Sequence, residues 1–138
     1  MKRLLVCAFI LMPFLAIAQQ KEMEELRKSI YFRGGSYYVD EFQMETLHEW
    51  LDSIPNLLER YEIQLISHTD PVGGKEYNEW LSQMRSMAVQ EILLQRAIPE
   101  YKISVKDWGL ENAVYRNDSW AGRRLNRRVD VILYPLIF

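Results

Sequence analysis

Leu65-Ile66-Ser67-His68-Thr69-Asp70-Pro71-Val72-Gly73-Gly74-Lys75-Glu76-Tyr77-Asn78-Glu79-Trp80-Leu81-Ser82-Gln83-Met84-Arg85 reads as a buried strand, a tight turn and a long helix. From Glu62 to His68 the side chains alternate, with Ile63 and Leu65 on one face and Gln64, Ile66 and His68 on the other, the period of a strand. Pro71 and the Gly73-Gly74 pair end that strand and turn the chain. Beyond Glu76, Tyr77, Leu81, Met84, Ala88 and Ile92 return at helical spacing with Trp80 and Met87 beside them, which makes this the expected core face. Asn78, Ser82 and Arg85 form a separate polar stripe on the same helix. Asp70 stands where the strand gives way to the turn. A carboxylate there, facing a guanidinium on the next helix, can receive a zwitterion. Asp70 would hold an ammonium while Arg85 forked onto a carboxylate through two parallel hydrogen bonds. The same pair could equally form a salt bridge that only orients the helix, and the residues alone leave both readings open.

Working outward, Ser29-Ile30-Tyr31-Phe32 reads as a first strand closed by Arg33-Gly34-Gly35-Ser36, and Asp40 as the N-cap of a first helix. Phe42, Leu47, Trp50, Leu51, Ile54, Leu58 and Tyr61 share one broad face, interrupted by Pro55. The helix is therefore expected to stop near Ile54 and to be followed by a short second turn. The helix after the glycine turn runs out around Gln95 or Arg96, before Pro99. Ile103, Val105 and Asp107 alternate with Ser104, Lys106 and Trp108 in a third strand ending at Gly109. Leu110 to Asn126 shows neither period and reads as a long loop, of the kind usually functional or disordered. Arg128 to Tyr134 is the last strand, with Val129, Val131 and Leu133 on one face. The order is βαβαββ. With no helix between its last two strands, the expected architecture is α+β: a two-layer sandwich of a mixed four-stranded sheet with helices packed on one face.

A chain of 138 residues, with 49% apolar and 26% charged side chains, supports one domain with an adequate core. A net charge of −2 argues against a nucleic-acid binder, which needs a basic surface to displace counterions. Residues 1–18 read as a cleaved secretory signal. Lys2-Arg3 precede the apolar run Leu4 to Leu15, too short for the roughly 20 residues of a membrane span, and Ala16-Ile17-Ala18 fits a cleavage site. Cys7, the only cysteine, lies within the signal, too early to carry a lipid. Neither a disulfide nor a lipid anchor is therefore expected. Residues 19–28 read as a flexible lead-in to a domain over 29–138.

No catalytic residue, metal or cofactor is expected. Ser67 and His68 are strand neighbours pointing to opposite faces and cannot form a nucleophile–base pair, so His68 reads as structural. His48 has no second ligand in sequence reach. Gly73-Gly74-Lys75 lacks the remainder of a phosphate loop, and Asp70 to Glu76 the alternating acids of a calcium loop. Trp50 and Trp80 sit on helix faces expected to be core, whereas Trp108 and Trp120 flank the long loop. Arg116, Arg123, Arg124, Arg127 and Arg128 form the densest basic cluster, and Arg128 is expected to have a structural partner as it enters the last strand.

His68-Thr69-Asp70, Gly73, Tyr77-Asn78, Leu81-Ser82 and Arg85 resemble the signature of OmpA-like peptidoglycan-binding domains, the group that includes the OmpA C-terminal, Pal and MotB domains. Downstream, Asn126-Arg127-Arg128-Val129-Asp130 resembles the second signature of that family. The resemblance runs from Ile30 to Leu133 and implies the same βαβαββ fold. It implies non-covalent binding of peptidoglycan through the diaminopimelate of the stem peptide, with the ammonium at Asp70 and the carboxylate at Arg85. Thr69 and Asn78 would be supporting members of the pocket, although Asn78 reads equally well as a helix cap. Asn126 and Arg127 would touch the stem peptide or brace the loop. The implied protein is a small secreted one in the periplasm, associated with the wall or outer membrane, with an envelope membrane protein as a possible partner. The alternative is an envelope adaptor that keeps the fold without binding the wall. The sequence departs from the family at Ser67, where glycine is usual and a side chain could narrow the approach. It departs again over Gly109-Leu110-Glu111-Asn112-Ala113, which lacks a second glycine and a proline.

Overall fold

The computed structural model describes residues 24–107 and 117–137. The elements are β1 (Leu26–Tyr31), α1 (Glu41–Asp52), α2 (Leu57–Arg60), β2 (Tyr61–His68), α3 (Lys75–Gln95), β3 (Ile103–Asp107), α4 (Trp120–Asn126) and β4 (Arg128–Pro135). The four strands form one sheet in the order β1-β4-β2-β3. β4 runs antiparallel to both β1 and β2, while β2 and β3 are parallel and joined through α3. Parallel neighbours need such a crossover, and its helix must return over one face of the sheet. Ile30, Ile63, Leu65, Val129, Val131 and Leu133 line that face. They bury against Leu47 and Leu51 of α1 and Val89, Ile92 and Leu93 of α3. The expected mixed sheet with helices on one side is the fold observed.

Local chemistry explains the boundaries. Asp40 caps α1, its Oδ1 accepting from the Gln43 amide at 2.9 Å. Ahead of Pro55, α1 stops and α2 makes one further turn before β2. β1 starts at Leu26, earlier than the expected Ser29, because Leu26, Arg27 and Lys28 pair with Leu133, Ile132 and Val131 of β4. Part of the supposed lead-in is thus an edge strand. The supposed long loop contains α4, whose cap is Ser119, its Oγ accepting from the Gly122 amide at 3.0 Å. At seven residues α4 is too short to display a period.

The face of α3 is the main departure. Its buried residues are Asn78, Leu81, Ser82, Arg85, Ser86, Val89, Ile92 and Leu93, so the polar stripe is the inward one. Tyr77, Trp80 and Met87 are exposed. Trp80 is therefore not core, whereas Trp50 packs against it. On α1, Phe42 is likewise exposed. The signal (1–18) with Cys7, and the stretch 108–116 with Trp108, Arg116 and the altered segment after Gly109, lie outside the described residues.

The opposite sheet face carries a buried polar network centred on Asp130. Ser29 Oγ of β1 donates to Asp130 Oδ1 at 2.6 Å, and His68 Nε2 of β2 lies 3.1 Å from Oδ2. Arg128 Nε donates to Oδ1 at 3.0 Å, and its Nη1 reaches the Leu125 carbonyl at 3.1 Å. Both His68 and Arg128 are structural, as expected of them. Burial by itself raises the Asp130 pKa. The hydrogen bonds from His68 and Ser29, with the charge of Arg128, outweigh it and hold the group at about 2. Because the folded value lies below the unfolded one, this stabilisation is complete above the ordinary carboxylate pKa. It is lost as pH falls through the folded value. In urea titrations the wild type should lose on the order of 2 kcal/mol more than Asp130→Asn on going from about pH 5 to pH 2. Parallel pH dependence of the two proteins would refute this role.

Candidate functional site

The site forms where the β2–α3 turn meets the β1–α1 connection and the end of α4. Gly73 sits at φ +100°, and a Cβ there would lie 2.9 Å from Tyr77 Cδ1, so the turn requires glycine at this point. Asp70 braces the turn, its Oδ1 accepting from the Val72 amide at 3.1 Å. Its other oxygen accepts from Arg127 Nη1 at 2.9 Å. The direct ion pair of Asp70 is therefore with Arg127, not with Arg85. Arg127 caps α4, and its carbonyl accepts from the Phe32 amide at 2.8 Å. Its Nε donates to the Phe32 carbonyl at 3.3 Å. The chain's second motif is thereby tied to the residues just past β1.

Arg85 is completely buried. Its Nε donates to the Ser36 carbonyl at 2.8 Å and its Nη2 to the Arg33 carbonyl at 3.1 Å, with the guanidinium 5.2 Å above the Phe32 ring. These bonds commit two of its three nitrogens. What remains is Nη1, rather than the uncommitted two-pronged fork expected from the sequence. Burial pulls the Arg85 pKa down to about 10; Asp70 and Tyr77 act against that, and Arg127 adds to it. The side chain is still charged at neutral pH.

Thr69, Asp70, Asn78, Arg85 and Arg127 line one cleft of about 240 Å³, with Gly34 and Tyr77 also in its wall. Five buried side-chain atoms have no hydrogen-bond partner among the described residues: Ser67 Oγ, Thr69 Oγ1, Asn78 Nδ2, Ser82 Oγ and Arg85 Nη1. All lie at the end of β2 or on the inward stripe of α3, and three belong to cleft residues. Native interiors leave few such groups, each costing about 1–3 kcal/mol. Donors beside a carboxylate are what a small dipolar ligand requires.

The remaining candidates separate. Asn78 does not cap α3, since Gly74 holds that position with no side-chain bond. Asn126 stands outside the cleft lining, buried, and its amide donates to Asn117 Oδ1 at 2.7 Å. It braces the approach to α4. Ser67 is also buried and absent from the lining, so it does not narrow the entrance. Sequence reasoning missed the contribution of the 33–36 turn, which supplies two carbonyls to Arg85. The adjacent glycines read only as punctuation. It also assigned Tyr77 to the core, although this residue forms part of the cleft wall and lies 5.9 Å from Trp80, ring to ring. Among the described residues no three His, Cys, Asp or Glu side chains gather to hold a metal, and no helix is long and apolar enough to cross a membrane.

Residues 31–127 match the model of the OmpA family. The outer-membrane lipoprotein YfiB of Pseudomonas aeruginosa is 35% identical over 72 residues, covering 52% of this chain and 43% of that protein. The peptidoglycan-associated lipoprotein of Brucella melitensis is 31% identical over 107 residues, covering 75% of this chain and 61% of the relative. In both cases the chain spans less than two thirds of the relative's length. Among solved structures, the peptidoglycan-associated lipoprotein of Burkholderia pseudomallei superposes with a TM-score of 0.64 at 28% identity, covering 77% of this chain and 89% of that one. The C-terminal domain of Helicobacter pylori MotB gives 0.70 at 21% identity, covering 80% and 87%, a likeness of fold alone.

The turn itself can be tested. Gly73→Ala should cost about 1–2 kcal/mol in denaturant unfolding, since it forces a side chain into left-handed backbone against Tyr77. Gly74→Ala, with nothing within 4 Å of the added Cβ, should be close to neutral. Equal costs would show that the turn is not constrained at Gly73.

Proposed function

This chain belongs to the OmpA family, and from that premise we propose that it binds peptidoglycan non-covalently in the cell envelope and catalyses no reaction. The ligand is the end of the diaminopimelate side chain in the stem peptide, which carries an ammonium and a carboxylate on one carbon. The ammonium sits against Asp70, and the carboxylate takes Arg85 Nη1 together with Asn78 Nδ2 or Thr69 Oγ1. The observation that carries this reading is the set of orphaned donors on a buried, charged Arg85 and its neighbours, in the same cleft as Asp70. Arg127 orients Asp70 through its bond to Oδ2 and lines the same cleft. Charge-assisted bonds of this kind contribute about 1.5–3 kcal/mol each. Repetition of the stem peptide along the wall would raise retention through avidity if the protein is tethered or multivalent. The names of the relatives, an outer-membrane lipoprotein and peptidoglycan-associated lipoproteins, support a place between the outer membrane and the wall, which export through the 1–18 signal would reach.

The test is cosedimentation with purified sacculi. Asp70→Asn, which preserves shape but removes the counterion of the ammonium, should lower the pelleted fraction at least tenfold in apparent affinity, about 1.4 kcal/mol or more. Arg85→Lys keeps the charge but not the Nη1 position and should do the same. Walls with lysine in place of diaminopimelate lack the second carboxylate and should bind the wild type poorly. Equal pelleting of wild type and both variants would defeat the proposal, and recovery of an envelope protein without wall fragments would favour an adaptor.

A further inference from the structure

A larger cleft of about 590 Å³ adjoins the first one and has no part in the reading above. Its walls include Arg33, Gly34, Tyr38, Trp120, Arg124 and Arg127. Gly34 and Arg127 belong to both clefts, so the two adjoin along a shared wall. Trp120 is 66% exposed and Tyr38 74% exposed, unusual for rings of this size in a folded domain. The Arg124 guanidinium lies 5.4 Å from the Trp120 ring centre, which restrains that side chain. A further hollow of about 380 Å³ continues along Trp120, Ala121, Arg124 and Leu125.

Resting on the diaminopimelate reading of the first cleft, we propose that this second cleft is a saccharide subsite. It takes the N-acetylated amino-sugar disaccharide to which the stem peptide is attached. Adjacency points to the occupant, because a ligand held in the first cleft and extending past Gly34 and Arg127 reaches the second. The lining decides its chemistry. A pyranose presents an apolar C–H face, which packs on exposed aromatic rings such as Trp120 and Tyr38. Around that face it presents a rim of hydroxyl and acetamido oxygens, which accept from guanidinium donors such as those of Arg33 and Arg124. A dry apolar peptide would leave those donors without partners.

Calorimetric titration with two soluble ligands tests this: the diaminopimelate-containing stem peptide alone, and the same peptide on its disaccharide. The wild type should bind the disaccharide form about tenfold more tightly. Trp120→Ala should erase that advantage while leaving the affinity for the free peptide unchanged. Tyr38→Ala, in the same lining, should reduce the advantage in the same way. Equal affinity of the wild type for both ligands, or an advantage that survives both substitutions, would overturn the subsite while leaving the first cleft intact. Free-peptide binding indifferent to Asp70→Asn would overturn the first cleft instead, and binding of neither ligand would overturn both.

Discussion

The structure turns on the burial of one guanidinium. Arg85 is inserted from α3 beneath the β1–α1 connection, where the Ser36 and Arg33 carbonyls accept two of its nitrogens and the Phe32 ring lies under its plane. Among the described residues no carboxylate forms an ion pair with it, although Asp70 is close enough to influence its ionisation. Taking a charge out of water without a direct ion pair is unfavourable, and the lowered pKa of Arg85 is one expression of that cost. In return, the turn forming one wall of both clefts is held by a side chain that lines the smaller one. Support of the turn and presentation of Nη1 to the cleft are a single interaction.

That cost must be met elsewhere, and β4 is where the fold does so. Among the described strands it alone has two antiparallel partners, and its two faces have different tasks. Val129, Val131 and Leu133 anchor the apolar core under α1 and α3. Arg128 and Asp130 point the other way and join β1, β4 and β2 through Ser29 and His68. Because Arg127 immediately precedes this strand, the position of the Asp70 partner is fixed by the most thoroughly paired part of the sheet. A binding residue on a rigid element keeps its geometry at little entropic cost.

Much of this was legible in the sequence, and the failures have physical causes. Strand alternation at Ile63–Leu65 and Val129–Leu133, the Asp40 cap and the Pro55 break are local signals, and local signals survive folding. The face of α3 was misread because a periodicity argument takes apolar residues as inward. Beside the cleft the inward stripe is polar, as Asn78, Ser82 and Arg85 are, and it becomes apolar only from Val89 onward. Tyr77 and Trp80 were therefore placed in the core although both are exposed. Arg127 as the partner of Asp70 could not be derived from spacing, since the two lie on different elements brought together by tertiary contacts. The family motif named the residue but not its bond. The short α4 was hidden by its length, leaving only the Ser119 cap as a trace.

The charge balance of the first cleft bears on what it can accept. One carboxylate, Asp70, stands among two guanidiniums, Arg85 and Arg127, so the lining carries a net positive charge. A simple cation entering it would meet Asp70 already engaged at 2.9 Å and would add to the surplus. A simple anion would satisfy Arg85 Nη1 but leave Asp70 facing another negative group. A ligand with both charges carried on one carbon adds nothing to the total and meets complementary partners at each end. Under the proposed function, this is why diaminopimelate is favoured over lysine at the same position of the stem. Discrimination arises from the mismatch imposed on the wrong ligand as much as from the contacts made with the right one.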